Sequence, residues 1–124
     1  MKLEEYLTAK QLDETELTQR INAWNIYGEE TLVFFCAQPQ ASEDFFAKLL
    51  KLRQESDHLI LALPLSIDES VRLMALHLEF TDGLVLYDQP EDIFDALGNA
   101  QVAFSPLRDE WSKTFANRLI RLDG

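Results

Sequence analysis

Hydrophobic positions along this chain fall into two spacings. Six apolar residues run unbroken from Leu32 to Ala37. A strand alternates its faces, so a run apolar on both faces needs cover on both. Gly28-Glu29-Glu30 precedes this run and Pro39 follows it, which excludes a long helix through the segment. The stretch 31–38 therefore reads as the central strand of a parallel sheet, with helices on either side. Three further strands are read from shorter runs: Leu59 to Leu63, stopped by Pro64; Leu84 to Tyr87; and Gln101 to Phe104, apolar from Val102.

Between these runs the spacing becomes helical. Ser42 can cap a helix with Glu43 and Asp44 in its first turn and Lys48, Lys51 and Arg53 towards its end. Phe45, Leu49 and Leu52 form its apolar stripe, widened by Phe46 and Leu50. Pro90 opens another helix, with Glu91 and Asp92 in its first turn and Gly98 after its last. Ser105-Pro106 reads as the cap and first residue of a closing helix. That helix would carry Trp111, Phe115, Leu119 and Leu122 on one side, with Arg118 and Arg121 near its end. The segment 66–80 carries both spacings. Ser66 and Glu69 have capping-box spacing, and Ile67, Val71, Met74 and Leu78 recur helically. Leu76, Leu78 and Phe80 alternate like a strand that could turn at Thr81-Asp82-Gly83 into a hairpin. The helix is favoured, because neighbouring parallel strands need a long crossover.

Ahead of the first apolar run, Leu3 to Ala9 can form a short helical stretch with Leu3, Tyr6 and Leu7 on one side. Asp13 and Glu16 then have capping-box spacing, Leu17, Ile21 and Trp24 recur helically, and Gly28 ends the helix. The expected architecture is α/β: a three-layer sandwich with a four-stranded, mainly parallel sheet and an N-terminal helical extension. The expected organisation is one domain over 1–124, with the extension at 1–30 and the repeating strand-helix unit at 31–124.

Charge changes this picture most. Twenty-two acids against eleven bases give a formal net charge of −11, which repels nucleic-acid phosphate and favours a partner with a basic surface. The single cysteine, Cys36, lies in the apolar strand and cannot form an internal disulfide. The acidic start of the chain lacks a signal-peptide core, and no apolar run is long enough to span a bilayer. A cytoplasmic protein with no membrane partner is expected.

Ligands of open parallel sheets sit beyond the carboxyl ends of the strands. No glycine-rich loop follows any expected strand, so phosphate-cradling sites of the common kinds are not expected. Acids instead concentrate there: Glu43 and Asp44, Asp68 and Glu69, Asp88, Glu91 and Asp92, and Asp109 and Glu110. Each acid can stabilise a helix N-terminus singly by about 0.3–1 kcal/mol. Together they would form a negative edge that steers a basic partner. Trp24 and Tyr27 are further partner-binding candidates, being amphipathic aromatics outside the repeating unit. No metal site and no cofactor are expected. The only histidines, His58 and His77, fall away from that edge, which separates them from the nucleophile candidates Ser66, Ser105 and Cys36.

The run Ala100-Gln101-Val102-Ala103-Phe104-Ser105-Pro106-Leu107, followed by a segment with Arg118, resembles the end of the psi subunit of the bacterial DNA polymerase III clamp loader. The stretch from Leu32 to Leu52 is loosely similar to that family's first strand and helix. The family has a Gly-Ile and Trp-centred segment ahead of its first strand, a pattern that Trp24 lacks around it. The resemblance implies a non-catalytic adaptor joining the chi subunit to the clamp-loader ATPase. The expectation is thus a protein-binding domain rather than an enzyme. Alternatives are an immunity protein or antitoxin that neutralises a basic nuclease, a secretion chaperone, and a small hydrolase-type enzyme using Ser66, Asp68 or Asp88.

Overall fold

The computed structural model describes residues 10–40 and 42–122. Five strands form one sheet, β1 (Gln11–Leu12), β2 (Thr31–Cys36), β3 (His58–Pro64), β4 (Gly83–Tyr87) and β5 (Gln101–Ser105). Their order is β1-β4-β3-β2-β5, and every pairing is parallel. Four α-helices, α1 (Glu14–Ile26), α2 (Glu43–Gln54), α3 (Glu69–His77) and α4 (Asp109–Thr114), and a 3₁₀ helix (Pro90–Leu97) fill the connections. The chain is therefore α/β.

All six residues of β2 are buried, as the unbroken apolar run requires, and β3 and β5 flank it; it is an inner strand, but the middle place expected for it belongs to β3, because β1 adds a strand on the far side of β4. Its side chains divide by parity between two core clusters. Val33 and Phe35 join the cluster containing Leu17 and Ile21 of α1, Ile93 and Leu97 of the 3₁₀ helix, and Trp111 of α4. Leu32, Phe34 and Cys36 join the cluster containing Phe45, Leu49 and Leu52 of α2 and Ala75 and Leu76 of α3. The segment 66–80 is thus a helical crossover, and β3 and β4 pair in parallel rather than as a hairpin.

Several expectations are corrected. The sheet has five strands, not four, because Gln11–Leu12 adds to β4 opposite Leu84 and Val85. Gly83 makes room for this: a Cβ there would stand 2.9 Å from Leu12 Cδ1. Residues 11–26 are consequently part of the sheet and its first cluster, not an appended extension. The closing helix is short. It starts at Asp109 with Arg108 as N-cap, not at Pro106, whose bond to Ser105 is cis. Beyond a turn at 115–118, Leu119 bridges Val102 in parallel instead of continuing a helical stripe. That bridge covers part of the otherwise open β5 edge. Leu50 does not widen the α2 stripe, being 51% exposed. On α3, Ala75 and Leu76 are the buried residues, while Met74, Ile67 ahead of the helix and Leu78 at its C-cap are partly buried. The expected helix at Leu3 to Ala9 lies outside the described residues.

Candidate functional site

Parallel strands send every following helix off from one edge of the sheet, so the carboxyl edge collects the helix N-termini. All nine predicted acids lie there, and all nine are exposed. Several have local work. Asp92 accepts from the Gln89 N–H at 2.9 Å and completes the capping box of the 3₁₀ helix. Asp44 pairs with Lys48 at 3.1 Å within α2. The Glu69 carboxylate accepts from Arg72 Nε at 2.9 Å, and this hydrogen bond holds it below its ordinary pKa. Glu110 stands 3.8 Å from Arg108. Glu43, Asp68, Asp88, Glu91 and Asp109 make no ion pair among the described residues. Because β1 joins the sheet, Asp13, Glu14 and Glu16 of α1 fall on this edge as well. Leu65 stands in the loop between β3 and α3, close in sequence to Asp68 and Glu69, and is 61% exposed.

Strand order creates a crevice on the same edge. The helix after β2 contributes to one core cluster and the helix after β5 to the other, so the two loops part between neighbouring strands. A cavity of about 150 Å³ lies there, lined by Phe35, Tyr87, Phe104 and Trp111 with Asp88 and Arg108. Phe104 stacks on Trp111 at 4.7 Å between ring centroids, and the Arg108 guanidinium covers the Trp111 ring at 4.8 Å. The indole Nε1 of Trp111 is buried without a hydrogen-bond partner. Burial pushes the Tyr87 hydroxyl up to about 12, helped by the nearby Cys36 and Glu91. Burial also raises the Cys36 thiol, which leaves it a poor nucleophile at neutral pH.

Trp24 and Tyr27 stand at the opposite edge. The capping box of α1 forms as expected, with Glu16 N–H donating to Asp13 Oδ1 at 2.8 Å and Asp13 N–H to Glu16 Oε1 at 3.2 Å. The helix ends in a Schellman motif: Glu29 N–H donates to Trp24 O, Gly28 N–H to Asn25 O, and Gly28 takes φ 74°. This turn leaves Ile26 and Tyr27 exposed and lays Trp24 flat on His58, 3.8 Å between centroids and 8° from parallel. Glu29 Oε2 lies 3.0 Å from His58 Nε2, and Asp82 Oδ1 lies 3.6 Å from His58 Nδ1. Asp82 also accepts from the Leu59 N–H at 2.8 Å and donates its own N–H to Leu59 O at 2.7 Å. The histidine thus ties α1, β3 and the start of β4 together. It stands at the amino end of β3, across the sheet from Cys36, Ser66 and Ser105. His77 sits in the last turn of α3, its Nδ1 2.7 Å from Leu73 O.

The candidate residues therefore form two groups: nine acids on the carboxyl edge, and Trp24 with Tyr27 on the amino edge. The His58 assembly and the aromatic crevice were not expected. His58 and Asp82 are far in sequence from Trp24 and Glu29, and the crevice depends on strand order. Among the described residues no three acidic, histidine or cysteine side chains are grouped to hold a metal ion, and no helix is long and apolar enough to cross a membrane. The chain matches no family model, and no curated protein matches it.

Proposed function

We propose that this chain is a non-catalytic α/β domain that binds a protein partner with a basic surface through the carboxyl edge of its sheet, in the cytoplasm. The observation that carries this reading is the all-parallel topology, which sets nine exposed carboxylates along one edge. Exposed Leu65 within that edge supplies apolar area of the kind an interface centre buries. The separation of His58 from Cys36, Ser66 and Ser105 supports a binding role over nucleophilic catalysis. An immunity-type inhibitor of a basic nuclease is the form of this mode that depends on the acidic edge, and its binding weakens steeply with salt, because exposed charges are screened within about 8 Å at physiological ionic strength. An adaptor of the psi type is a separate reading, in which binding depends little on that edge and tolerates salt.

Carbodiimide coupling of carboxylates to partner lysines tests the reading, with linked sites mapped by mass spectrometry in a complex purified from the native host. Links concentrated at Glu43, Asp68, Glu69, Asp88, Glu91 and Asp109 are expected. Links concentrated at Glu29, Glu30, Glu55 and Asp57 would place the interface on the amino edge instead.

A further inference from the structure

The crevice between β2 and β5 lies where an open parallel sheet places its ligands, at the reversal of strand order beyond the carboxyl ends. We propose that it binds a free aromatic amino acid, with the ring against Phe35, Phe104 and Trp111, the ammonium group at Asp88 and the carboxylate at Arg108.

The walls point to a ring. Phe35 stacks on Phe104 at 4.8 Å between centroids, and Phe104 stacks on Trp111 at 4.7 Å. All three are buried, so the core holds this aromatic wall in place and keeps it from folding into the space. Pro64, Pro90 and Pro106 also line the cavity, each without a main-chain N–H and with a fixed φ. The lining is therefore apolar and preformed. A volume of about 150 Å³ matches that of an apolar cavity that takes up one benzene. It has room for a single six-membered ring and is too small for a nucleotide.

The polar groups point to a zwitterion. Asp88 follows β4 and Arg108 follows β5, and both line the cavity. They make no ion pair with each other. Arg108 has only Glu110, at 3.8 Å, a surface pair worth little in water. Its guanidinium lies over the Trp111 ring, which holds it by its face and leaves its N–H edge free for a carboxylate. Tyr87 adds a donor. Its side chain is 5% exposed, lines the cavity and makes no hydrogen bond among the described residues. Its hydroxyl keeps its proton far above neutral pH and can donate to the same carboxylate. A simple anion here would face Asp88, and a simple amine would face Arg108. A ligand carrying both charges beside one ring answers each group.

The test is an NMR titration of the isotope-labelled full chain with L-phenylalanine, 3-phenylpropionate, N-acetyl-L-phenylalaninamide and L-alanine. Phenylalanine is expected to shift the amides of Ala37, Asp88 and Ser105 and the indole N–H of Trp111. Loss of one charge, in 3-phenylpropionate, Asp88→Asn or Arg108→Gln, should weaken binding about fivefold. N-acetyl-L-phenylalaninamide, a mimic of a phenylalanine within a partner chain, should bind more weakly still. Alanine, lacking the ring, should bind about thirtyfold more weakly or worse. Ala37→Phe, at an exposed position on the rim, should fill the crevice and abolish binding with the spectrum still dispersed. The pair Asp68→Lys with Asp92→Lys, aimed at the acidic docking edge, should leave phenylalanine binding intact, so the two readings fail separately. No binding of phenylalanine, or shifts confined to other residues, would overturn the proposal. So would 3-phenylpropionate or N-acetyl-L-phenylalaninamide binding as tightly as phenylalanine, or binding unchanged by Arg108→Gln.

Discussion

Replacing Gly83 with Val probes the least expected feature of the fold, the attachment of β1. A Cβ at Gly83 would meet Leu12 Cδ1 at 2.9 Å, closer than real Cβ contacts come, while its other neighbours, Leu12 Cγ and Lys10 O, both stand at 3.5 Å. Leu12 is 4% exposed within the first core cluster, so it has little room to turn away. Overpacking of this kind costs about 1–3 kcal/mol. Leu12→Ala alone should cost about 2 kcal/mol, the low end for a buried leucine, because β1 is only two residues long. In the Leu12→Ala background the offending methyl is gone, and a β-branched residue in a strand gains up to about 1 kcal/mol over glycine. Gly83→Val should then be neutral or stabilising. Urea denaturation of the four proteins gives the coupling, expected to exceed about 1 kcal/mol. A Gly83→Val cost that is the same in both backgrounds would refute the packing explanation.

Three further outcomes are expected. Tyr87 titrates at about 12 in the folded protein against about 10 when unfolded, so its contribution is intact below pH 10 and is lost as pH rises to 12. Alkaline denaturation should show a loss of at most about 3 kcal/mol over that window, and Tyr87→Phe should abolish it; an unchanged alkaline limb would contradict the assignment. Asp13→Ala removes both capping interactions of α1 and should lower stability by about 0.5–2 kcal/mol in thermal denaturation, whereas Asp95→Ala, exposed on the 3₁₀ helix, should change it by less than about 0.5 kcal/mol. Leu65→Ala should leave stability within about 0.5 kcal/mol yet weaken partner binding measurably by calorimetry; unaltered binding would remove Leu65 from the interface.

The inner sheet was legible because apolar runs such as Leu32 to Ala37 and Leu59 to Leu63 have few alternatives once proline stops them. β1 was not, since two residues carry no period and its recruitment depends on the missing side chain of Gly83. The closing segment misled for the opposite reason. Trp111, Phe115, Leu119 and Leu122 keep a helical spacing, yet an open strand edge at Val102 draws Leu119 into extended pairing. The nine edge acids could be placed from sequence, because parallel strands fix where helices begin. The Trp24–His58 stack could not, because it depends on how the turn after α1 meets β3.

Charge reversal on one edge at a time tests the docking account most directly. Asp68→Lys with Asp92→Lys on the carboxyl edge, and Glu30→Lys with Glu55→Lys on the amino edge, change the net charge equally. Recovery of the protein partner from the native host should be measured quantitatively beside wild type. The account predicts a large loss for the carboxyl-edge pair and wild-type recovery for the amino-edge pair. Equal recovery by both pairs, or a loss confined to the amino-edge pair, would contradict it.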